Sequence, residues 1–222
     1  MTQLLDAIEI ETGPQPTHSL IVLHGLGADG NDFAPICDEL DLSTIGAIRY
    51  VLPHAPVRPV TINNGYPMRA WYDIIGTDLA RREDESGVRQ SQADVEALIE
   101  RERERGIAPG RIVLMGFSQG CAMTLQTGLR YRDRLAGLVA LSGYLPLAAT
   151  LPAESSDANR LTPIFMAHGR GDPMIAIDRA TASRDALRAM GYDVEWHDYP
   201  MPHSVCPQEI ADLNRWLLRV LA

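Results

Sequence analysis

The clearest candidate for chemistry is Ser118, which stands between Gly116 and Gly120 in the segment GFSQG. An apolar run precedes it and a helix-like pattern follows it, which is the setting of a G-x-S-x-G nucleophile elbow. In such an elbow a strained turn lifts the hydroxyl clear of the sheet, and the helix N-terminus offers N–H groups to a developing oxyanion. The same five residues are also typical of a serine that caps a helix, so the partners of Ser118 must decide.

A serine nucleophile needs a base, and this kind of elbow expects the acid and then the histidine further along the chain. Three histidines precede the serine and fail this order: His18, His24 and His54. His168 leaves little chain for an acid between itself and the serine, and His197 lies within a predicted strand. His203, in the turn YPMPHSV before the last predicted helix, is therefore the candidate base.

Asp172 is the candidate acid, because it lies in a Gly/Pro turn, HGRGDPMI, just after the predicted strand 163–168. Sites in open α/β sheets assemble at the carboxyl ends of the strands, so Asp172 and Ser118 are expected at the same edge. Three rival carboxylates are more simply explained as solvated side chains: Asp178, Asp193 and Asp198. The sequence therefore predicts a catalytic arrangement of Ser118, Asp172 and His203.

Two backbone N–H groups are predicted to form an oxyanion hole. One belongs to Gln119, directly after the nucleophile, and the other to Leu26 in the loop LHGLGADG. Gly25 and Gly27 flank Leu26 and free the backbone so that its N–H can turn inward.

The same loop also fits a different class of protein. Gly25, Gly27 and Gly30 spell the G-x-G-x-x-G fingerprint of dinucleotide-binding oxidoreductases. That fingerprint needs an acid at the end of the next strand to bind the ribose, and here the strand ends YVLPHAP without one. The oxidoreductase is kept as the disfavoured alternative.

Composition excludes several functions. The net charge of −9 argues against a nucleic-acid partner, and all 20 basic residues are arginines, which removes Schiff-base chemistry and the P-loop lysine. Cys37, Cys121 and Cys206 are an odd number without paired spacing, so neither a disulfide framework nor a zinc site is expected. The acidic N-terminus does not resemble a secretory signal, which predicts a cytoplasmic protein.

Alternating apolar runs and amphipathic segments predict an α/β fold, with a mostly parallel central sheet and helices on both faces. The predicted strands are 19–24, 47–52, 111–116, 135–141, 163–168 and 193–199, the last an edge strand, with the opening LLDAIEIE as a further or antiparallel strand. The predicted helices are 31–40, 88–105, 118–130, 176–190 and 207–221. The absence of a linker predicts a single domain over 1–222.

Two segments leave alternatives open. Residues 53–86 are rich in Pro, Gly and Asn and are predicted to be an irregular surface loop, whose aromatic side chains could anchor it or wall a pocket. The apolar stretch 135–153 is nearly long enough to span a bilayer, but Gly143 and Pro146 interrupt it, so a buried strand followed by an apolar loop is the preferred interpretation.

Five segments together resemble the phospholipase/carboxylesterase family of α/β-hydrolases: LHGLGADGNDF, LPHAPVRPVTINNGYPMRAWYDI, GFSQGCAM, HGRGDPMI and YPMPHSVCPQEI. The resemblance implies an α/β-hydrolase fold without a large cap domain, and gives Ser118, Asp172 and His203 the triad roles and Leu26 and Gln119 the oxyanion hole.

The resemblance also implies a function. It predicts a serine carboxylesterase acting on short carboxylic esters, with an acyl-thioesterase or a lysophospholipase as alternatives on the same scaffold. An inactive binding protein with the hydrolase fold is a further alternative. The loop around Trp71, with Met68, and the SGYLP turn, with Leu145, are expected to flank the acyl pocket. The expected partner is a small-molecule ester, no metal or organic cofactor is needed, no stable membrane insertion is expected, and a homodimer is possible.

Overall fold

A computed structural model describes residues 4–76 and 83–222. Its strands are β1 (Ala7–Glu11), β2 (His18–Leu23), β3 (Ile48–Pro53), β4 (Val57–Val60), β5 (Tyr66–Arg69), β6 (Ile112–Phe117), β7 (Gly137–Leu141), β8 (Ile164–Gly169) and β9 (Val194–Tyr199). Its α-helices are α1 (Ile36–Glu39), α2 (Glu85–Glu104), α3 (Gln119–Gly128), α4 (Leu151–Glu154), α5 (Ile177–Ala189) and α6 (Pro207–Val220).

Seven strands form one sheet in the order β1-β3-β2-β6-β7-β8-β9. β1 pairs antiparallel with β3, and all other neighbours in the sheet are parallel. Parallel strands covered on both faces are continuously apolar, and β2, β3, β6, β7 and β8 are almost entirely buried. The predicted parallel sheet is confirmed, including its edge strand β9 and the antiparallel strand near the N-terminus.

Helices cover both faces of this sheet, each over its own apolar core. On one face α2 and α3 pack with the inner side chains of β6, including Leu98, Leu125 and Leu114. On the other face α6 and the segment around α1 pack against the sheet through side chains such as Trp216 and Phe33. The α/β-hydrolase architecture predicted from the sequence is therefore confirmed. The loops at the carboxyl ends of the strands lie between the two helical layers.

The predicted helix over 31–40 is wrong. The chain instead forms a 3-10 turn over Gly30–Phe33 and then the single α-turn α1. Proline has no backbone N–H to donate within a helix, so Pro35 interrupts the hydrogen-bond pattern. The Asp29 side chain caps the first turn by accepting the Asn31 N–H at 2.8 Å.

The prediction that 53–86 is irregular throughout is also wrong for its described part. β4 and β5 pair antiparallel as a two-stranded hairpin, with Pro59 opposite Pro67. Asn64 and Gly65 close the turn with φ values of 55° and 74°, which these residue types tolerate best. Residues 77–82 of that segment lie outside the described residues.

The apolar stretch 135–153 contains β7 and then loop and short helix. Over residues 4–76 and 83–222, the longest apolar helical segment still falls short of what a bilayer crossing requires. The membrane-helix alternative for 135–153 is thus replaced by the buried strand.

Candidate active site

Ser118 occupies a strained turn between β6 and α3. Its φ of 56° and ψ of −114° lie in a region that side chains rarely adopt. A Cβ on Gly116 would collide with the Gly120 carbonyl, and one on Gly120 with the Leu23 carbonyl, so the elbow can close only with both glycines. The Ser118 side chain makes no capping bond to α3. The alternative of a helix-capping serine is therefore wrong.

The Ser118 hydroxyl belongs to a chain of three side chains. Its Oγ lies 2.9 Å from Nε2 of His203. The Nδ1 of His203 lies 2.6 Å from Oδ2 of Asp172. Because a carboxylate only accepts, Nδ1 carries the proton and Nε2 is left to accept from the hydroxyl. In this state the imidazole can take the serine proton directly.

Different elements supply the acid and the base, and backbone bonds join them. Asp172 follows β8, and its Oδ1 accepts the N–H groups of Met174 at 2.8 Å and Ile175 at 2.9 Å. The neighbouring Gly171 N–H donates to the Met201 carbonyl at 3.1 Å, in the turn that carries His203. The Asp172 carboxylate has no exposed surface, and the His203 side chain is 18% exposed. The acid is thus shielded, and the base reaches the surface.

Two rivals from the sequence analysis are engaged elsewhere. His197 pairs with Glu195 at 2.9 Å, and Asp198 pairs with Arg170 at 3.0 Å. A third rival, His168, does lie in the site region, with Nε2 3.4 Å from the Asp172 carboxylate. Sequence reasoning set it aside, although its place at the end of β8, four residues before Asp172, was the available signal.

The predicted oxyanion donors lie on either side of the nucleophile. Gln119 is the first residue of α3, and the loop at Gly25 passes so close that a Cβ there would lie 3.4 Å from the Ser118 Cβ. Within residues 4–76 and 83–222, the N–H groups of Leu26 and Gln119 have no backbone acceptor. Both groups are therefore available to a ligand oxygen.

His24 fixes the peptide that carries the Leu26 N–H. Its Nδ1 lies 2.7 Å from the Gly25 carbonyl, and its Nε2 lies 3.0 Å from the Ala55 N–H. A carbonyl only accepts and an N–H only donates, so Nδ1 bears the single proton. Burial lowers the pKa of His24, which keeps it neutral. Since Gly25 C=O and Leu26 N–H share one peptide plane, holding the first orients the second.

Trp71 has a different place from the one expected. It was predicted to flank the acyl pocket, but its side chain is fully buried. Its N–H donates to Gln119 Oε1 at 2.8 Å, and its indole Nε1 donates to the His24 carbonyl at 2.9 Å. Gln119 Nε2 in turn donates to the Tyr72 carbonyl at 2.7 Å. Trp71 therefore ties together the two segments that carry the oxyanion donors.

The other two predicted pocket residues lie in different places, Met68 against the oxyanion loop and Leu145 against α5. Met68, on β5, is partly exposed and sits against Gly27, where a Cβ would be 3.7 Å from its sulfur. Leu145 is buried, and its N–H donates to Ser183 Oγ at 3.0 Å. Their contact with an acyl chain stays a prediction.

A cavity of about 450 Å³ adjoins His203 on another side. Its apolar wall consists of Phe33, Pro35, Ile36, Phe117, Val205, Pro207 and Ile210. The Phe117 ring lies 4.7 Å from the His203 ring, between centroids. This cavity could not be predicted from the sequence, because its wall combines segments about residues 32–39 and 203–210 that no local pattern connects.

Comparison with known proteins identifies the family. A model described as Phospholipase/Carboxylesterase matches residues 5–221. The chain belongs to this family. The chain is therefore a hydrolase of the serine type with the α/β-hydrolase fold, as the resemblance implied. In this setting the Gly25, Gly27 and Gly30 pattern is a packing feature, since a Cβ on Gly30 would collide with the Leu52 carbonyl.

Individual relatives cover nearly the whole chain. It is 39% identical to acyl-protein thioesterase 1 of Gibberella zeae, over 93% of this chain and 92% of that protein. It is 41% identical to acyl-protein thioesterase 1 of Neurospora crassa, over 90% and 86% respectively. Among solved structures, Arabidopsis thaliana SOBER1 superposes with a TM-score of 0.88 at 31% identity, covering 92% of this chain and 99% of that chain.

Proposed function

We propose that this member of the phospholipase/carboxylesterase family hydrolyses acyl thioesters, using Ser118, His203 and Asp172 as a catalytic triad. The single observation that carries the proposal is the unbroken hydrogen-bonded chain from Ser118 Oγ through His203 to Asp172. The choice of a thioester over the short carboxylic ester, which the sequence analysis ranked first, is supported by relatives named acyl-protein thioesterase 1.

The first half of the reaction forms an acyl-enzyme. His203 Nε2 takes the Ser118 proton as Oγ attacks the thioester carbonyl carbon. The carbonyl oxygen becomes an oxyanion, which the N–H groups of Leu26 and Gln119 stabilise. The C–S bond then breaks, and the leaving thiol receives the proton held on Nε2. Asp172 keeps the imidazole in the required tautomer and stabilises its charged form.

The second half regenerates the enzyme. A water gives one proton to His203 Nε2, and its oxygen attacks the acyl carbonyl carbon. The bond from that carbon to Ser118 Oγ breaks, Oγ recovers the proton, and the carboxylic acid leaves. The base must stand on the leaving-group side of the carbonyl to serve both halves. Because the cavity adjoins His203, we assign it to the leaving group.

The test is a series of acyl thioesters and matching p-nitrophenyl esters of increasing chain length, each compared at kcat/KM. We expect hydrolysis of both classes, with the thioesters preferred at longer chain lengths, and a loss of about 10⁴-fold or more in Ser118→Ala. Ser43→Ala, at an exposed serine, is the matched control and should keep full activity. Undiminished turnover by Ser118→Ala would reject the triad.

The same series separates the alternatives. A preference for short esters with no thioester cleavage would favour the carboxylesterase. A preference for lysophospholipids would favour the lysophospholipase. No turnover of any of them, with a folded protein, would favour the inactive binding protein. The homodimer stays a prediction, which sedimentation at several protein concentrations tests.

A further inference from the structure

The mechanism above does not use His168, although it lies against the acid. His168 is the fifth residue of β8, and its side chain has no exposed surface. Its Nε2 lies 2.9 Å from the Ile175 carbonyl and 3.4 Å from Oδ2 of Asp172. A polar ring this deeply buried, against the loop that carries Asp172 and Ile175 (the acid loop), requires a physical explanation.

The contacts of His168 define its tautomer. A carbonyl oxygen can only accept, so the Nε2 that faces Ile175 must carry the proton. The other nitrogen, Nδ1, is buried and has no hydrogen-bond partner in the described part of the chain. An unpartnered lone pair costs less here than an unpartnered buried N–H⁺ would, so the neutral Nε2–H form is the one that fits.

This N–H is part of a ring of contacts around the acid, which the 3.4 Å approach of His168 Nε2 to Asp172 Oδ2 closes. His168 holds the carbonyl of Ile175, while the N–H of Ile175 donates to Oδ1 of Asp172 at 2.9 Å. The N–H and the carbonyl of Ile175 are thus both held by hydrogen bonds. Fixing Oδ1 in this way rotates the other oxygen, Oδ2, toward Nδ1 of His203 at 2.6 Å. The ring therefore sets the plane of the carboxylate that orients the catalytic base.

We infer that His168 is a positioning residue for the reaction, acting through Ile175 and Asp172 as a neutral N–H donor. This inference rests on the triad of the proposed function. Loss of the donor leaves the Ile175 carbonyl without this hydrogen bond and frees the acid loop to turn. A misplacement of about 1 Å in a catalytic group can cost about 100-fold in rate. His168 is buried behind the acid, so substrate affinity should not change.

Three variants separate donor chemistry from ring size. His168→Gln places an amide N–H where Nε2 lies, His168→Asn places it where Nδ1 lies, and His168→Leu removes it. With p-nitrophenyl esters we expect kcat to fall about 10- to 100-fold in the Asn and Leu variants, with KM changed less than about twofold. His168→Gln should stay within about threefold of the parent. If the Leu variant fails to fold, the Gln and Asn pair carries the test.

His197 is the matched control. It lies on β9, the strand next to β8, in register with Ala167, and it bonds Glu195 instead of the acid loop. His197→Gln and His197→Asn should both keep the parental kcat. Equal losses in His168→Gln and His168→Asn would overturn the inference in favour of a packing role. Full activity in all three His168 variants would overturn it as well.

A second readout separates this inference from the proposed function. The proton that His203 Nδ1 shares with Asp172 gives a downfield NMR resonance, and it should be lost or shifted in His168→Asn but retained in His168→Gln. An unchanged resonance in both variants would contradict the positioning role. If instead Ser118→Ala keeps the parental turnover, the triad itself fails, while the resonance still reports whether His168 orients Asp172.

Discussion

The two halves of the site are held by different means. The half that stabilises charge, the Leu26 and Gln119 donors, is fixed by buried bonds that converge on His24 and Trp71. The half that moves protons depends on a turn that carries a partly exposed His203 onto a buried carboxylate. We refer to these as the oxyanion half and the proton-transfer half.

The difference follows from what each half must do. A preorganised donor is effective because it does not reorganise during the reaction, so deep burial helps it. A base must exchange protons with the leaving group and with water, so it needs access to the surface. The strongest effects on rate are therefore expected from the proton-transfer half, and the most graded effects from the supports of the oxyanion half.

The largest expected effect breaks the proton-transfer half. Asp172→Asn keeps the shape of the acid but lets its amide face Nδ1 of His203 and favour the wrong tautomer. We expect kcat to fall by about 10⁴-fold with little change in KM. Steady-state kinetics on a p-nitrophenyl ester measure this, with Asp178→Asn in the first turn of α5 as control. A loss under tenfold would mean that Asp172 does not orient the base.

A smaller effect is expected in the oxyanion half. His24→Leu keeps the bulk of the side chain but removes the donor to Gly25 and the acceptor for Ala55. The Leu26 N–H should then lose its fixed direction, with a fall in kcat of about 100-fold, the typical cost of one oxyanion donor. His24→Asn, which retains a donor near Nδ1, should recover part of the rate. Full activity in the Leu variant would show that His24 does not hold the loop.

The smallest effect on rate, with the clearest effect on stability, is expected at Glu209. This side chain is fully buried near the start of α6. Burial raises the pKa of Glu209 from its ordinary value of 4.5 to about 8. Between about pH 4.5 and about pH 8, Glu209 is protonated in the folded state and ionised in the unfolded state. The free energy of unfolding therefore declines as the pH rises across this range.

Glu209→Gln removes this dependence, because the amide is neutral at every pH. Denaturant unfolding should find the variant more stable than the parent by about 2 kcal/mol or more at pH 9, and nearly equal at pH 5. Activity should change little at either pH. Glu104→Gln, at an exposed position of α2, is the control and should show no such difference. A parallel pH dependence in parent and Glu209→Gln would contradict the assignment.

The sequence predicted the proton-transfer half better than the oxyanion half. Ser118, Asp172 and His203 each stand in a local turn whose residue types are informative, and buried strands such as β6 and β8 are readable as apolar runs. The structure brings these three side chains together as expected. Their order along the chain, together with their turn contexts, selected them from six histidines and several acids.

The supports were not readable from local pattern. The Trp71 indole bonds the His24 carbonyl across 47 residues of chain, and the His24 side chain bonds the Ala55 N–H across 31. The hairpin between Trp71 and His24 depends on the pairing of β4 with β5. His168 resembles any buried histidine until its partner at Ile175 is known. Such contacts are set by tertiary packing, which a local pattern of residue types does not reveal.

The role of Ser118 as the nucleophile of the triad is tested most directly by labelling with a fluorophosphonate, followed by intact-mass and peptide analysis. We expect one adduct per chain, located on Ser118, and labelling slowed by more than about 100-fold in Asp172→Asn. An adduct on another residue of the site region, such as Cys206, or equal labelling of Ser118→Ala, would contradict it.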